Sequence, residues 1–206
     1  FAPVHAIQAE ASRILDVPAP DLYVCQSAEA VARTTGPDAP VTVVSSGLLD
    51  LLDEDELFAA LAHQASHIHC EHLPYLLLCD FVREAADALG VVGTPLLGPQ
   101  VALEEWRRRA ELSCDRGALL VTGNRDALLS MLAKLAGGAG SKTYGHADAE
   151  SLLQQKEAFL EGTRGLSMGR LYRVVMYLDT QNSFAALRAA EVDAWAQSDH
   201  YASLAA

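Results

Sequence analysis

Residues 60–72 read ALAHQASHIHCEH, and this stretch decides how the chain folds. It contains two histidines, His63 and His67, that are four residues apart. On an α-helix this spacing places both imidazoles on one face, close enough to reach a single ion. Because neutral imidazole is a good zinc ligand, the stretch predicts a zinc-binding helix; a chance pairing of two helical histidines is the alternative.

The sequence before this stretch predicts where the helix begins. Asp53 and Glu56 have the spacing of a capping box. Residues 53–56 are all acidic, which suits the positive end of a helix dipole. We therefore expect one helix over residues 54–72.

A third metal ligand is expected on a second helix, because a catalytic zinc site has three protein ligands and an open position for water. Glu111 lies 44 residues after His67 in another helical segment, and Asp115 follows one turn later on the same face. Glu71 is a poorer candidate, since ligands on three successive turns of one helix would span about 12 Å. Glu111 is therefore the predicted third ligand.

The other histidines are not expected to bind the metal. Steps of two and five residues from His67 turn His69 and His72 away from the ligand face. We expect His69 to be exposed, and His72 to pack or form a hydrogen bond at the helix end. His146, after the glycine-rich residues 137–140, is interpreted as part of an ordinary surface loop, with a lid or zymogen-like plug over the zinc as the alternative.

Composition restricts the class of protein. The 206 residues include 15 Lys and Arg against 27 Asp and Glu, a formal net charge of −12. Such a chain offers no basic surface to a phosphate backbone, so we expect no nucleic-acid partner. The apolar residues 73–78 are interrupted by Asp80 and Arg83, well before the roughly 20 residues that a spanning helix needs, so no membrane span is expected.

The cysteines indicate a compartment. The four cysteines form no CxxC pair and are interpreted as reduced, mostly buried thiols, which favours a cytoplasmic location. The sequence contains no recognisable signal peptide and begins with Phe1, so we expect its start to be a processed or trimmed end.

The periodicity of apolar residues predicts an α+β fold, in which strands come first and helices follow. Before the zinc helix we expect a helix over residues 5–15 and strands over 22–25, 30–34 and 41–45. After it we expect helices over residues 75–89, 100–121, 126–135, 148–161, 169–178 and 185–197.

We interpret the chain as one domain, residues 1–206, because its length suits a single core. Its predicted parts are an N-terminal helix and small sheet (1–52), the zinc-site helices (53–123) and a C-terminal helical part (124–206).

Two motifs resemble those of a known enzyme family. The sequence His63-Gln64-Ala65-Ser66-His67, with His72 beyond it, resembles an HExxH motif on an active-site helix. Glu111 and Asp115 resemble the ExxxD motif of a second helix.

Two further segments extend the likeness. Residues 41–63 resemble the strand, the turn and the acidic helix start that precede the HExxH motif, and residues 182–188 resemble an HPxxxxR segment. Over residues 22–195 the chain thus resembles the HtpX-type and CAAX-prenyl-protease-type gluzincin family of zinc metallopeptidases.

The resemblance implies a mainly helical, zincin-like fold with a small N-terminal sheet, an active-site helix and a second helix that bears a glutamate. It implies that His63, His67 and Glu111 hold zinc, and that Asp115 supports a ligand imidazole from outside the coordination sphere. Membrane-embedded members carry transmembrane helices around this core. This chain lacks them, so we expect a soluble member.

The resemblance also implies a mode of substrate binding. In this mode an extended peptide pairs with an edge strand through main-chain hydrogen bonds. In this chain the strand would be residues 31–35, and the predicted peptide-binding residues are Val31, Ala32, Arg33 and Thr34. The expected partner is a protein or peptide substrate; an inhibitory segment or an activating partner is left open.

The chain departs from the family at its general base. Gln64 occupies the position of the HExxH glutamate, which accepts a proton from the metal-activated water. An amide has no basic oxygen, so a proton transfer worth roughly 10²- to 10⁴-fold in rate should be lost. Two explanations compete: a laboratory Glu-to-Gln change, and a natural pseudoprotease. We favour the first, because the rest of the motif is intact.

A second departure lies in the C-terminal segment. Asn182 stands where the family pattern has His, and Ser183 stands where it has Pro. The Asn182 amide could donate a hydrogen bond to a developing oxyanion. Arg188 matches the arginine of the pattern, and a salt bridge that holds the C-terminal helix explains it as well as a functional role does.

Three functions therefore stay open at this point. The leading one is a zinc-dependent endopeptidase that hydrolyses peptide bonds through a metal-activated water, inactive or nearly so because of Gln64. The alternative is a natural pseudoprotease that binds a peptide or protein partner without cleaving it. The third is a helical interaction domain in which a closed metal site with four protein ligands joins two helices.

Overall fold

The computed structural model describes residues 1–89, 97–137, 150, 152–154 and 185–205. Its strands are β1 (Asp21–Cys25), β2 (Ala32–Thr35) and β3 (Val41–Ser45). Its helices include α1 (Ala2–Ile14), α2 (Ser46–Leu51), α3 (Glu54–His69), α4 (Leu73–Leu89), α5 (Leu97–Thr122), α6 (Arg125–Gly137), α7 (Ala185–Ala196) and α8 (Asp199–Ala205). The predicted α+β fold, with a small sheet followed by helices, is confirmed.

Some predictions fall outside these ranges. They are the helix over residues 169–178, most of the helix over 148–161, His146 and Asn182. In the parts of the chain that are described, no helix combines the length and the apolar character needed to cross a bilayer.

The sheet has three strands in the order β1-β3-β2. β1 runs parallel to β3, with Tyr23 opposite Val43, and β2 runs antiparallel to it, with Arg33 opposite the same Val43. β3 is apolar at most positions because it lies in the middle of the sheet and supplies Val44 to the core. β2 is consequently an edge strand, and its outer edge pairs with no other described strand.

β2 begins two residues later than predicted. The N–H of Val31 donates to Ser45 Oγ, and its carbonyl accepts from the Ser45 N–H, both over 2.9 Å. Ser45 also caps α2, because its side chain accepts a hydrogen bond from the N–H of Leu48. Ser45 therefore ends the strand pairing and begins α2, and Val31 lies just before β2. The other predicted peptide-binding residues lie within the strand.

The start of α3 forms the predicted capping box. Asp53 accepts from the N–H of Glu56, and the Glu56 carboxylate accepts from the N–H of Asp53. The Glu56 side chain is buried, and it also accepts hydrogen bonds from Ser130 Oγ (2.6 Å) and Lys134 Nζ (2.5 Å) of α6. A single carboxylate therefore caps α3 and attaches it to α6.

The end of α3 differs from the prediction, because the helix stops at His69 and not at His72. Cys70 caps the helix, and Glu71 adopts a left-handed conformation with φ of +54°. This residue reverses the chain, and the N–H of His72 then donates to the carbonyl of His67 over 3.0 Å. His72 is thereby brought back beside the helix that it was expected to extend.

α3 is the central helix and packs closely against α5. Gly117 of α5 faces Ser66 of α3, and a β-carbon built on Gly117 would lie 2.3 Å from Ser66 Oγ and 3.0 Å from Ser66 Cβ. A side chain at position 117 would therefore require Ser66 to shift, and a large one would not fit between the two helices at this distance. The close approach brings the histidines of one helix within reach of the carboxylates of the other.

Candidate metal centre

Three potential ligands meet where α3 packs against α5. Nε2 of His63 lies 3.3 Å from Glu111 Oε2, and Nε2 of His67 lies 3.5 Å from Glu111 Oε1. Each oxygen of one carboxylate thus faces one imidazole. His63 is 6% exposed and His67 4%, so the rings are nearly closed off from solvent.

Asp115 fixes the orientation of the His63 ring. Its fully buried carboxylate lies with Oδ1 2.9 Å from His63 Nδ1. Burial alone would raise the pKa of Asp115, but the charge of Arg188 and hydrogen bonds from Arg188 and His63 lower it. An ionised carboxylate can only accept, so His63 Nδ1 is the donor and His63 Nε2 faces Glu111. Burial alone would lower the pKa of His63, but its contacts with Asp115 and Glu111 raise it, so without a cation Nε2 can carry a proton towards Glu111.

Arg188 of α7 joins the two carboxylates. Its Nε donates to Asp115 Oδ2 over 2.7 Å, its Nη2 donates to Asp115 Oδ1 over 2.5 Å, and its Nη1 lies 3.3 Å from Glu111 Oε2. Burial alone would raise the pKa of Glu111, but His63, His67 and the charge of Arg188 hold it well below its usual value. Glu111 is therefore ionised.

His72 contacts the second imidazole. Its Nδ1 lies 3.3 Å from His67 Nδ1, and its ring meets that of Trp106 edge to face, 5.5 Å between centroids. Burial, with the nearby His67, lowers the pKa of His72 to about 4, and burial lowers the pKa of His67 as well. Both rings are neutral near pH 7. When His67 Nδ1 is the donor in its contact with His72, His67 Nε2 has its lone pair towards Glu111.

The donor set fits a divalent cation. The Nε2 atoms of two imidazoles and a carboxylate converge, while the Nδ1 atoms face outward to Asp115 and His72. A positive charge stabilises the approach of these nitrogens to the Glu111 oxygens at 3.3–3.5 Å, and it can be a proton on an imidazole or a bound cation in its place. Two histidines and one glutamate are a ligand set of catalytic zinc sites, in which hydrogen bonds from outside orient each ligand.

Cys114 is a competing ligand that the sequence reasoning missed. Its sulfur lies with nitrogens of His63 and His67 in a group whose atoms are all within 4.8 Å of one another. Its nearest polar partner, however, is His72 Nδ1 at 3.5 Å. Burial, with the charge of Glu111, raises the pKa of the Cys114 thiol well above its usual range, so the thiol is protonated. The position three residues after Glu111, on nearly the same helix face, is the signal that could have found it.

The group of potential ligands lines a cleft of about 1340 Å³. Gln64 lies in the cleft beside His63 and His67. One wall is formed by β2 and the residues before it, and this wall includes the four predicted peptide-binding residues: Val31, Ala32, Arg33 and Thr34. The opposite wall is formed by α4, with side chains such as Leu76, Leu77 and Asp80.

The structure thus brings most of the predicted site residues together. His63, His67 and Glu111 converge, and Asp115 and Arg188 lie directly behind them. His69 is exposed, as expected, and its Nδ1 lies 3.0 Å from the carbonyl of Leu15. His72 was expected to turn away from the ligand face, but it contacts His67.

Similar proteins agree with this picture. The model of peptidase family M48 matches residues 1–196. The chain is 35% identical over 209 residues to the plastoglobule-localized metallopeptidase 48, chloroplastic, of Arabidopsis thaliana, across 98% of this chain and 59% of the relative. It is 28% identical over 151 residues to protease HtpX homolog 2 of Methanosarcina acetivorans, across 60% of this chain and 51% of that protein. No solved structure matches the chain.

The fold is that of a zincin-like metallopeptidase: it has a small sheet, a helix with the paired histidines beside it, and a second helix that bears a glutamate. The chain belongs to peptidase family M48, and the predicted resemblance to HtpX-type proteases is confirmed. It spans between one half and three fifths of the length of these two relatives.

Proposed function

We propose that this chain is the zinc-binding domain of an endopeptidase, with His63, His67 and Glu111 as the metal ligands. The observation that carries the proposal is that one Glu111 carboxylate faces the Nε2 atoms of both histidines at 3.3 and 3.5 Å. Family membership supports a protease, and the donor set supports zinc.

The surrounding residues have distinct tasks. When bound, zinc would polarise the scissile carbonyl and lower the pKa of a water molecule. Asp115 holds the His63 ring with Nε2 facing inward. Arg188 offsets the negative charges of the buried Asp115 and the partly exposed Glu111, so that two carboxylates can lie close together in one site.

Gln64 determines how active this form is. A glutamate at this position would take a proton from the attacking water, whereas the amide of Gln64 has no basic oxygen. We therefore expect this chain to bind substrate and to cleave it slowly or not at all. Asn182, which lies outside the described residues, is kept as a proposed oxyanion donor.

The free edge of β2 is the proposed peptide-binding element. Its outer backbone groups have no partner strand in the described structure, and the strand lies along the cleft that holds the metal ligands. An extended peptide can form main-chain hydrogen bonds with such an edge and receive its orientation from them. The substrate would be an unfolded or extended segment of protein.

Two measurements test this function. Metal analysis of the purified chain should find one zinc per molecule, and Gln64→Glu should cleave an unfolded protein such as reduced casein at least about 100-fold faster than the parent chain. Gln64→Ala is the matched control, because it removes the amide without adding a base. Zinc-loaded Gln64→Glu protein that cleaves no faster than Gln64→Ala would contradict the proposal.

A natural pseudoprotease is the second candidate, and the observation in its favour is Gln64 itself among intact ligands. It predicts a stable complex with a peptide partner in the organism's own form of the chain. The codon for residue 64 in the natural gene distinguishes the endopeptidase from the pseudoprotease, because a glutamate codon would exclude a natural pseudoprotease.

A closed structural site is the third candidate, and the nearness of Cys114 to both histidines favours it. With Cys114 added to His63, His67 and Glu111, the ion would have four protein ligands and no place for water. The absorption spectrum of the cobalt-substituted protein distinguishes this closed site from the open site with three ligands. Only a thiolate ligand produces a strong sulfur-to-metal charge-transfer band in the near ultraviolet.

The cytoplasmic location also stays a prediction. The name of the Arabidopsis thaliana relative places that protein at plastoglobules of the chloroplast, so the comparison does not confirm it.

A further inference from the structure

Three arginines cluster around Asp80 in the cleft and connect β2 with α4 and α5. Asp80 of α4 accepts a hydrogen bond at Oδ2 from Arg33 of β2. Its other oxygen, Oδ1, lies 2.6 Å from Nη2 of Arg107 of α5 and 3.3 Å from Nη2 of Arg83 of α4. One carboxylate thus serves three guanidinium groups. The four residues come from three elements, β2, α4 and α5, and all of them line the cleft.

The charges of this cluster do not balance. Arg107 has a second acidic neighbour, Glu104, at 3.9 Å. Across the described part of the chain, Arg33 and Arg83 have no acidic partner other than Asp80. The cluster therefore carries one more positive than negative charge, although the whole chain has a net charge of −12. Each guanidinium has five N–H donors, so most of the donors of Arg33 and Arg83 are unused.

The alternation of β2 directs Arg33 towards the place where a peptide would lie. Arg33 and Thr35 are exposed, whereas Thr34 is buried and its hydroxyl forms a hydrogen bond with that of Thr42. In a strand that pairs with the free edge of β2, every second side chain would lie on the same face as Arg33 and next to it. This face is the one from which Arg33 reaches Asp80 on the opposite wall.

Arg33 is the most exposed member of the cluster. Its side chain is 62% exposed, whereas those of Asp80 and Arg107 are 14% and 15% exposed. Arg107 holds Asp80 in place from the buried side. Arg33 can therefore turn from Asp80 to a second carboxylate without unpairing a buried charge, and a bidentate contact with that carboxylate is within the geometry of a guanidinium.

We propose that Arg33, Arg83 and Arg107 form a subsite that selects an aspartate or glutamate side chain in the bound peptide. The inference rests on the proposed function, since it names the class of substrate for the same cleft. Asp80 holds the three guanidinium groups together when the cleft has no peptide, and the peptide carboxylate takes the unused donors of Arg33 and Arg83. The subsite is therefore a specificity element, separate from the metal ligands.

Binding to the parent chain tests this directly, because we expect Gln64 to make cleavage slow compared with the binding measurement. The probes are fluorescein-labelled eight-residue peptides of alanine and serine in which one glutamate is moved through each position, each with a glutamine counterpart. With zinc present, we expect one position at which the glutamate peptide binds about tenfold more tightly than its glutamine counterpart. The preference should weaken as the salt concentration rises.

Two variants of the cluster should move the preference in opposite directions. Arg33→Gln should reduce the glutamate-to-glutamine ratio to about one, because it removes the guanidinium nearest the peptide. Asp80→Asn should raise the affinity for the glutamate peptide several-fold, because it removes the competing carboxylate. Arg13→Gln is the matched control: Arg13 is an exposed arginine of α1 whose acidic partner is Glu10, and the ratio should not change.

The outcomes separate this inference from the proposed function. Equal binding of glutamate and glutamine peptides at every position, in a zinc-loaded chain that does bind them, overturns the subsite and leaves the protease proposal intact. A loss of binding of both peptides in Asp80→Asn, with an unchanged far-ultraviolet circular dichroism spectrum, also overturns it, because it would assign Asp80 a purely structural role. Absence of all peptide binding, together with an inactive Gln64→Glu variant, overturns the proposed function itself.

Discussion

Asp115 of α5 and His63 of α3 form a buried hydrogen bond of 2.9 Å, and the Asp115 carboxylate also accepts two hydrogen bonds from Arg188. The aspartate therefore links α3, which carries the proposed metal ligands His63 and His67, to helix α7. Its contribution to the site is orientation: it accepts the Nδ1 proton of His63, so that Nε2 faces Glu111.

Replacing Asp115 with Asn tests this role. We expect zinc affinity to fall about 10- to 100-fold, because the amide no longer enforces the His63 tautomer. We also expect a loss of roughly 3–5 kcal/mol in the free energy of unfolding, since the buried Arg188 loses its main counter-charge. Competition with a fluorescent chelator measures the first quantity, and urea denaturation measures the second.

The matched control for this change is Asp193→Asn. Asp193 also accepts from an arginine, Arg125, at 2.5 and 2.7 Å, but it does so away from the metal centre. Zinc affinity should stay within about twofold of the parent value in this variant. Equal zinc affinities of Asp115→Asn and Asp193→Asn would contradict the role assigned to Asp115.

The identity of the third ligand is tested by Glu111→Gln and Cys114→Ala. The first change should abolish tight zinc binding, because a neutral amide neither offsets the charge of the ion nor binds it as strongly as a carboxylate. The second should leave zinc binding within about threefold of the parent, because the Cys114 thiol is protonated and faces His72. The reverse ranking, measured by metal content after dialysis, would assign the ligand role to Cys114.

Removal of the metal should lower the thermal stability of the chain. A ligand present at about 100 times its dissociation constant adds about 2.7 kcal/mol to the free energy of unfolding. For a domain of this size that corresponds to a rise in Tm of roughly 5–10 °C. Calorimetry with zinc and with EDTA measures the difference. An unchanged Tm in the parent, equal to that of Glu111→Gln, would show that no ion binds here.

Glu56→Gln should destabilise the fold without affecting zinc. The Glu56 carboxylate caps α3 and accepts hydrogen bonds from Ser130 and Lys134, so the change removes a buried charge partner at a cost of roughly 2–4 kcal/mol. The control is Glu54→Gln, an exposed acid of the same first turn, which should change stability by less than about 0.5 kcal/mol. Chemical denaturation of both variants checks the difference, and equal stabilities would contradict the role of Glu56.

Local sequence patterns predicted helices α3 and α5 and the start of α3 well. The spacing of His63 and His67 and the periodicity around Glu111 are regular helical features, and α3 and α5 retain them. The capping box at Asp53 also depends on neighbours in the chain, and it formed as expected. Such features survive folding because the interactions that decide them lie within one or two turns of helix.

The features that the sequence did not predict depend on contacts between distant residues. His72 was expected to point away from the site because five helical steps separate it from His67, but the left-handed Glu71 ends the helix first. Helices commonly end at a glycine in this conformation, and no glycine marks this end. Cys114 was missed because its relation to the histidines arises only when α3 and α5 pack together.

The bare backbone at Gly117 has a consequence for which ions the protein can use. It lies six residues beyond Glu111 on α5, so we expect the close approach of α5 to α3 at Ser66 to influence how far the glutamate stands from the two imidazoles. Zinc forms bonds of about 2.0–2.2 Å to nitrogen and oxygen, whereas calcium needs about 2.3–2.6 Å and more ligands. A bulkier residue at position 117 would widen the coordination space and weaken discrimination in favour of the smaller cation.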